Sequence, residues 1–299
     1  MEIRAKNREE GHKVTSGFFR SQDGTPIFYE TWGEGKPLVF CYGLTCRREH
    51  WRHQLPKFSA SHRIVTLDYR GHHASGKPQN DSNLTLEWCA KDLHLVLKEL
   101  EIRDWVGVGH SLGVPVLVEA AGQEVNPATA LVLIAGTLEN PFDHFFFTDR
   151  LNLVFEAHRR LYDWFPAATT NLWRWFTAQN PVSYFLTSQF GFNPERSAEK
   201  DIKGYLTGVA DTDFSVFLRL LEDLTRFQGD LKAGKVKCPV LVLAGEDDCI
   251  VPVGRQKRMA SLFSQGKFFS VPEGSHNPHT DFPDLVNQKM EKFLKEVGF

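Results

Sequence analysis

Cysteine is scarce and scattered in this chain. The five residues, at 41, 46, 89, 238 and 249, include no Cys-x-x-Cys pair. Such a set argues against a disulfide framework or a zinc site and for free thiols in a reducing compartment, which points to the cytoplasm. Neither sign of charge is in excess, with 35 basic against 37 acidic residues, so no electrostatic footprint for nucleic acid is present. No stretch approaches the roughly 20 apolar residues that span a bilayer, so no integral membrane segment is expected. The first residues, MEIRAKNREEGHK, lack the apolar run of a cleaved secretory signal. Internal repeats and low-complexity segments are also missing. Composition leaves an ordinary globular protein of 299 residues, 41% hydrophobic and 24% charged. Its oligomeric state is not legible.

What the chain does have is a series of short apolar runs separated by helical patterns. Residues 25–32, 37–42, 63–68, 105–108, 130–134, 240–243 and 268–271 read as strands. Continuous apolar strands fit a sheet covered on both faces, hence a parallel one. Leu86, Ala90, Leu93, Leu97 and Leu100 recur at helical spacing behind Thr85, a plausible N-cap. The alternation gives an α/β fold with a doubly wound, mostly parallel sheet. The pattern breaks at 137–234, which holds 19 of the 37 aromatic residues. That segment reads as a helical insertion between two strands. Residues 1–15 form a charged N-terminal extension, and 16–136 with 235–299 form the core. Most of the insertion's aromatics are expected in its own core, but a small helical layer has little interior. Some of Phe145, Phe146, Phe147, Trp164, Trp173 and Trp175 should therefore face the sheet edge and line a pocket.

The run Gly109-His-Ser-Leu-Gly113 follows one predicted strand and fits Gly-x-Ser-x-Gly, a sharp strand-to-helix turn that exposes a serine. Glycines flank the serine because the strained turn leaves no room for side chains. A serine hydroxyl needs a base to take its proton, and the base needs a carboxylate to fix its tautomer. Two later loops can supply them in the order Ser, acid, His: Gly245-Glu-Asp-Asp-Cys-Ile-Val-Pro252 and Val271-Pro-Glu-Gly-Ser-His276. Both lie past the C-terminal ends of predicted strands, where parallel sheets place their sites. Asp247 competes with Asp248, and His279 with His276. His110 beside the serine reads as a structural histidine or a pocket residue. Arg47, Arg48 and His50 can bind a substrate carboxylate or form a solvated helix face.

These motifs together resemble the α/β-hydrolase superfamily, in its serine-nucleophile branch with a helical cap. The branch's Gly-x-x-Asp-x-x-x-Pro maps onto Gly245, Asp248 and Pro252, and its Gly-x-His onto Gly274 and His276. Asp68-Tyr-Arg-Gly-His-His-Ala-Ser75 is similar to its Asp-x-Arg-Gly-His-Gly-x-Ser loop, and Trp51 with Gln54 to its Trp-x-x-Gln. The likeness covers residues 16–136 and 235–299. It implies a catalytic triad of Ser111, Asp248 and His276, and an oxyanion hole from the backbone N–H groups of Leu44 and Leu112. Two departures stand out. Tyr42 replaces a histidine in the loop before Leu44, and His73 replaces a glycine that often serves a positive φ. Either His73 is drift in a surface turn, or it and Arg70 shape the pocket entrance.

The resemblance implies a serine hydrolase that cleaves a carboxylic ester with an apolar acyl or aryl group through an acyl-enzyme, with no metal or other cofactor. Tyr42, His110, Phe146, Trp164 and Trp173 are the candidate pocket residues. The same triad also serves C–C bond hydrolysis, lactone opening and acyl transfer. A fold of this kind can also act as a non-catalytic receptor for hydrophobic ligands.

Overall fold

The computed structural model describes residues 5–9, 12–123, 125–143, 151–177 and 180–299. Its nine described strands are β1 (Ala5–Glu9), β2 (His12–Arg20), β3 (Pro26–Trp32), β4 (Pro37–Cys41), β5 (Arg63–Leu67), β6 (Val106–His110), β7 (Ala130–Ile134), β8 (Val240–Gly245) and β9 (Gly266–Val271). They form one sheet in the order β1-β2-β3-β5-β4-β6-β7-β8-β9. The first three pairings, out to β5, are antiparallel and the other five are parallel. The parallel strands β6, β7 and β8 are buried at every position, which explains their unbroken apolar runs.

Every strand expected from the sequence is present, and β1 and β2 are additional. β2 starts at His12, inside the segment that the sequence reading treats as an extension. β1 is the edge strand and carries charges that discourage further pairing, and so reads as a polar tail. The helices that flank the core are α1 (Leu55–Ser59), α2 (Leu86–Glu99) and α3 (Gly113–Ala121). Thr85 caps α2 as expected, its hydroxyl accepting from Trp88 N at 3.2 Å, and Leu86, Ala90, Leu93 and Leu97 turn their apolar face inward.

Between β7 and β8 the described residues form six α-helices: α4 (Leu151–Trp164), α5 (Pro166–Thr177), α6 (Pro181–Phe190), α7 (Glu199–Asp211), α8 (Phe214–Thr225) and α9 (Gly229–Ala233). They have two small cores of their own, one around Phe142, Phe155, Phe214 and Leu218 and one around Phe192, Ile202 and Leu206. The insertion is tied to the sheet's C-terminal edge at close range. A Cβ on Gly208 of α7 would lie 2.2 Å from the Thr45 carbonyl, and one on Gly71 would lie 2.6 Å from Val216 of α8. After β8 come α10 (Val253–Ser261), α11 (Pro278–Asp281) and α12 (Pro283–Glu296). β4 pairs with β5 on one side and β6 on the other, so the chain reverses its winding there. The loops after β4 and β6 open side by side at that switch point, where open α/β sheets bind ligands.

Candidate active site

Ser111 follows the last residue of β6 and holds φ at +51°, the left-handed conformation that a side chain adopts at a cost of about 1–3 kcal/mol. The surroundings enforce it. An added Cβ on Gly109 would meet the Gly113 carbonyl at 2.7 Å, and one on Gly113 would meet the Cys41 carbonyl at 2.1 Å. The two glycines thus let α3 start immediately beside β4. Substituting Gly113 by alanine is expected to destabilise the fold by about 3 kcal/mol or more, because backbone must shift to relieve the overlap. Thermal unfolding measures that loss, expected as a fall in Tm of roughly 6 °C or more; a Tm within about 2 °C of the unsubstituted protein would contradict the packing.

Three loops from distant parts of the sequence meet at this serine. His276 Nε2 lies 3.1 Å from Ser111 Oγ, and His276 Nδ1 lies 3.0 Å from Asp248 Oδ2. Asp248 is buried, while Asp247 points into solvent, so the local competition is resolved by burial. The Asp248 carboxylate accepts from the backbone N–H groups of Ile250 and Val251 at 2.9 and 2.8 Å and from Gln256 Nε2 at 3.0 Å. Gln256, one turn into α10, was not singled out in the sequence, since a lone glutamine in a helix carries no signal. A Pro252 that opens a helix just after an acid loop is the one local hint.

His279 is fully buried against Trp51, with ring centroids 4.7 Å apart, and has no hydrogen-bond partner for either ring nitrogen. Burial pushes its pKa well below the ordinary histidine value. Gln54 holds the backbone of that segment, Nε2 donating to the His279 carbonyl at 3.0 Å and to Asn287 at 3.1 Å.

Leu44 lies on the loop after β4, and Leu112 directly follows Ser111 after β6. Residues 43–46 form a turn closed by Cys46 N–H donating to the Gly43 carbonyl at 3.0 Å, with Thr45 at φ +67°. Neither the Leu44 N–H nor the Leu112 N–H finds a backbone acceptor among the described residues, and Leu112 is the N-cap of α3. Unsatisfied amides at a helix start attract negative charge.

The two departures from the family pattern brace this turn. Tyr42 is 1% exposed, so it does not line a pocket as expected; its hydroxyl donates to Asp68 at 2.9 Å and accepts from Tyr69 N–H at 3.2 Å. His73 keeps the positive φ, at +43°, and its Nε2 lies 2.8 Å from the Cys46 carbonyl. Arg70 does not shape an entrance. It is fully buried and binds Asp92 through two nitrogens, each at 2.8 Å.

Other pocket expectations are corrected. His110 is buried behind the elbow, its Nε2 3.0 Å from the His276 carbonyl, so it cannot face substrate. Trp164 is 74% exposed at the end of α4 and lines no enclosed space. Trp173 packs on Phe214 and Phe217, with centroids 5.0 and 4.6 Å away, within the insertion's own core. Phe145, Phe146 and Phe147 lie outside the described residues. Arg47 and Arg48 pair with Asp211 and Glu30, and His50 is buried, so these three form no carboxylate site.

Comparison with known proteins agrees with this architecture. A family model described as alpha/beta hydrolase fold matches residues 36–283. A non-heme haloperoxidase of Rhodococcus erythropolis is 27% identical over 297 residues, covering 93% of this chain and 99% of that protein. A bifunctional esterase/perhydrolase of Acinetobacter calcoaceticus is 26% identical over 297 residues, with 93% and 99% covered. The solved structure of a thermophilic esterase from Thermogutta terrifontis shares the fold, with TM-score 0.70, 19% identity and 99% of each chain covered.

Proposed function

The chain belongs to the alpha/beta hydrolase family and is an enzyme of hydrolase type, and from that premise we propose that it is a serine esterase acting on carboxylic esters with an apolar acyl or aryl group. The observation that carries this reading is the line Ser111–His276–Asp248, with contacts of 3.1 and 3.0 Å, on an elbow that holds the serine at positive φ.

In the first step His276 Nε2 takes the hydroxyl proton as Ser111 Oγ attacks the ester carbonyl. Asp248, held by Ile250, Val251 and Gln256, accepts from His276 Nδ1 and keeps the tautomer that leaves Nε2 free to act as base. The N–H groups of Leu44 and Leu112 receive the oxyanion of the tetrahedral intermediate; a preorganised donor of this kind is worth about 3–4 kcal/mol. His276 returns its proton to the leaving alcohol. A water then attacks the acyl-enzyme with His276 again as base, and Ser111 is restored.

The apolar substrate class is supported by the insertion, where Phe165, Trp175 and Phe185 are all more than half exposed. Burying a further CH₂ of substrate is worth about 0.8 kcal/mol, up to fourfold per methylene. With p-nitrophenyl esters, kcat/KM is therefore expected to rise at least tenfold from acetate to hexanoate. A flat or falling series would overturn the apolar class, and absence of turnover with every ester would overturn the esterase reading.

A second reading is favoured by the esterase/perhydrolase relative. The same acyl-enzyme can be taken by hydrogen peroxide instead of water, giving a peracid. Peracid formed from acetate ester and peroxide, and lost in Ser111→Ala, is its signature.

A further inference from the structure

Behind the oxyanion turn lies a group of side chains that ester hydrolysis does not use. Cys46, His50 and His110 are all buried, and one ligand atom from each lies within 4.8 Å of the others. Cys46 closes the 43–46 turn, His50 belongs to the short 3-10 helix Arg48–Trp51, and His110 ends β6. No other group of three or more His, Cys, Asp or Glu among the described residues is so arranged. The sequence gives no warning, since the third ligand is sixty residues away from the other two and no Cys-x-x-Cys is present.

One ring nitrogen here, His110 Nδ1, is buried without a hydrogen-bond partner. A buried polar atom left this way is destabilising and calls for an explanation. The other nitrogen of His110, Nε2, donates to the His276 carbonyl at 3.0 Å. That tautomer leaves the Nδ1 lone pair unused, and a backbone carbonyl on the far nitrogen is the usual support of a metal-bound histidine. Gly43 packs directly against the group. A Cβ there would lie 3.0 Å from His110 Nδ1, 3.2 Å from Cys46 Sγ and 3.1 Å from Ser111 Cβ. The two ligand atoms and the nucleophile therefore surround the same glycine, and Ser111 is partly exposed.

We propose that Cys46, His50 and His110 form a binding site for one zinc-class cation and that its occupancy inhibits the enzyme. Thiolate and imidazole donors select borderline and soft ions over calcium or magnesium. On binding, the Cys46 thiol loses its proton to solvent, one thiolate and two imidazole bonds to the ion form, and the fourth tetrahedral position goes to water. Bond lengths of about 2.3 Å to sulfur and 2.0–2.1 Å to nitrogen require ligand atoms roughly 3.3–3.6 Å apart. Seating the ion therefore draws the three together across Gly43 and shifts the turn that carries the Leu44 N–H. A displacement of about 1 Å in a catalytic group costs on the order of 100-fold in rate. Binding stands on the geometry alone; only the inhibition rests on the esterase reading.

The test uses chelator-stripped protein titrated with zinc alone and, in parallel, with cobalt(II) alone. One equivalent of zinc is expected per chain, cobalt should give thiolate-to-metal charge-transfer absorption, and zinc should lower ester turnover about 100-fold in step with occupancy. Cys46→Ser should lose the charge-transfer band and His50→Phe should lose stoichiometric zinc, whereas His276→Ala should keep both. Less than half an equivalent of zinc bound, or a cobalt spectrum without the thiolate band, overturns the site even if a variant fails to fold. Zinc retained by Cys46→Ser but lost from His276→Ala places the ion on the catalytic residues and overturns it as well. A chain that binds zinc as expected but turns over no ester would refute the esterase reading and leave the site standing.

Discussion

Ser111→Ala is expected to lower kcat for an aryl ester by about 10⁵–10⁶-fold while leaving the fold intact, because the bond-forming oxygen is gone and only binding and the oxyanion donors remain. Alanine fits the elbow, since it has no atom beyond the Cβ already present at φ +51°. Asp248→Asn should cost about 10⁴-fold by reversing the tautomer of His276. Gln256→Leu removes one donor to the carboxylate and should cost about 10–100-fold, the worth of a hydrogen bond to a charged group. The series is also non-additive: Gln256→Leu in a Ser111→Ala background should change nothing. Steady-state kinetics with matched circular dichroism measures all four. A Ser111→Ala protein that retains a tenth of the activity would show that another group carries the chemistry.

The second large effect is on stability in mild acid. His50, His72, His110 and His279 are all fully buried, and burial lowers every one of them: His50 to about 4, His72 to about 3, and the other two well below the usual value. In the unfolded chain each returns to about 6.5. Between these limits the unfolded state binds protons that the native state refuses, so stability falls as pH drops below 6.5 and is unaffected above it. Each such proton contributes about 1.4 kcal/mol per pH unit, so four give a slope that approaches roughly 5 kcal/mol per unit between about pH 5.5 and 4. Set against a typical total of 5–15 kcal/mol, that predicts unfolding before pH 4. Urea midpoints measured from pH 7.5 to 4.5 in the presence of chelator should show this limb. His279→Phe should flatten it by about one proton; a limb unchanged by that substitution, or no limb at all, would contradict the assignment.

How much of this was legible in the chain depended on how local each signal is. The elbow at 109–113 and the loops after β8 and β9 advertise themselves by glycines and acids at strand ends, so Ser111, Asp248 and His276 could be picked out and were found in hydrogen-bond reach. Thr85 was legible as a cap for the same reason. β1 was not, because an edge strand carries the charges of a tail. Gln256 was hidden because its role depends on where α10 points. Tyr42 and His110 lie within two residues of the site in sequence yet face away from it, into contacts that only the assembled sheet provides. Trp164 and Trp173 show the same limit in the insertion: aromatic content is legible, but which ring turns inward is decided by helix packing. Cys46, His50 and His110 come together only because β4 and β6 are neighbours.

The most direct test of the central claim is mass spectrometry of the intact and digested protein after acid quench of its reaction with a slowly deacylating aryl ester. A mass increase equal to one acyl group, mapped to Ser111 and absent from Ser111→Ala, is the predicted result. An acyl group on any other residue, or turnover with no covalent species at a quench fast enough to catch the burst, would contradict it.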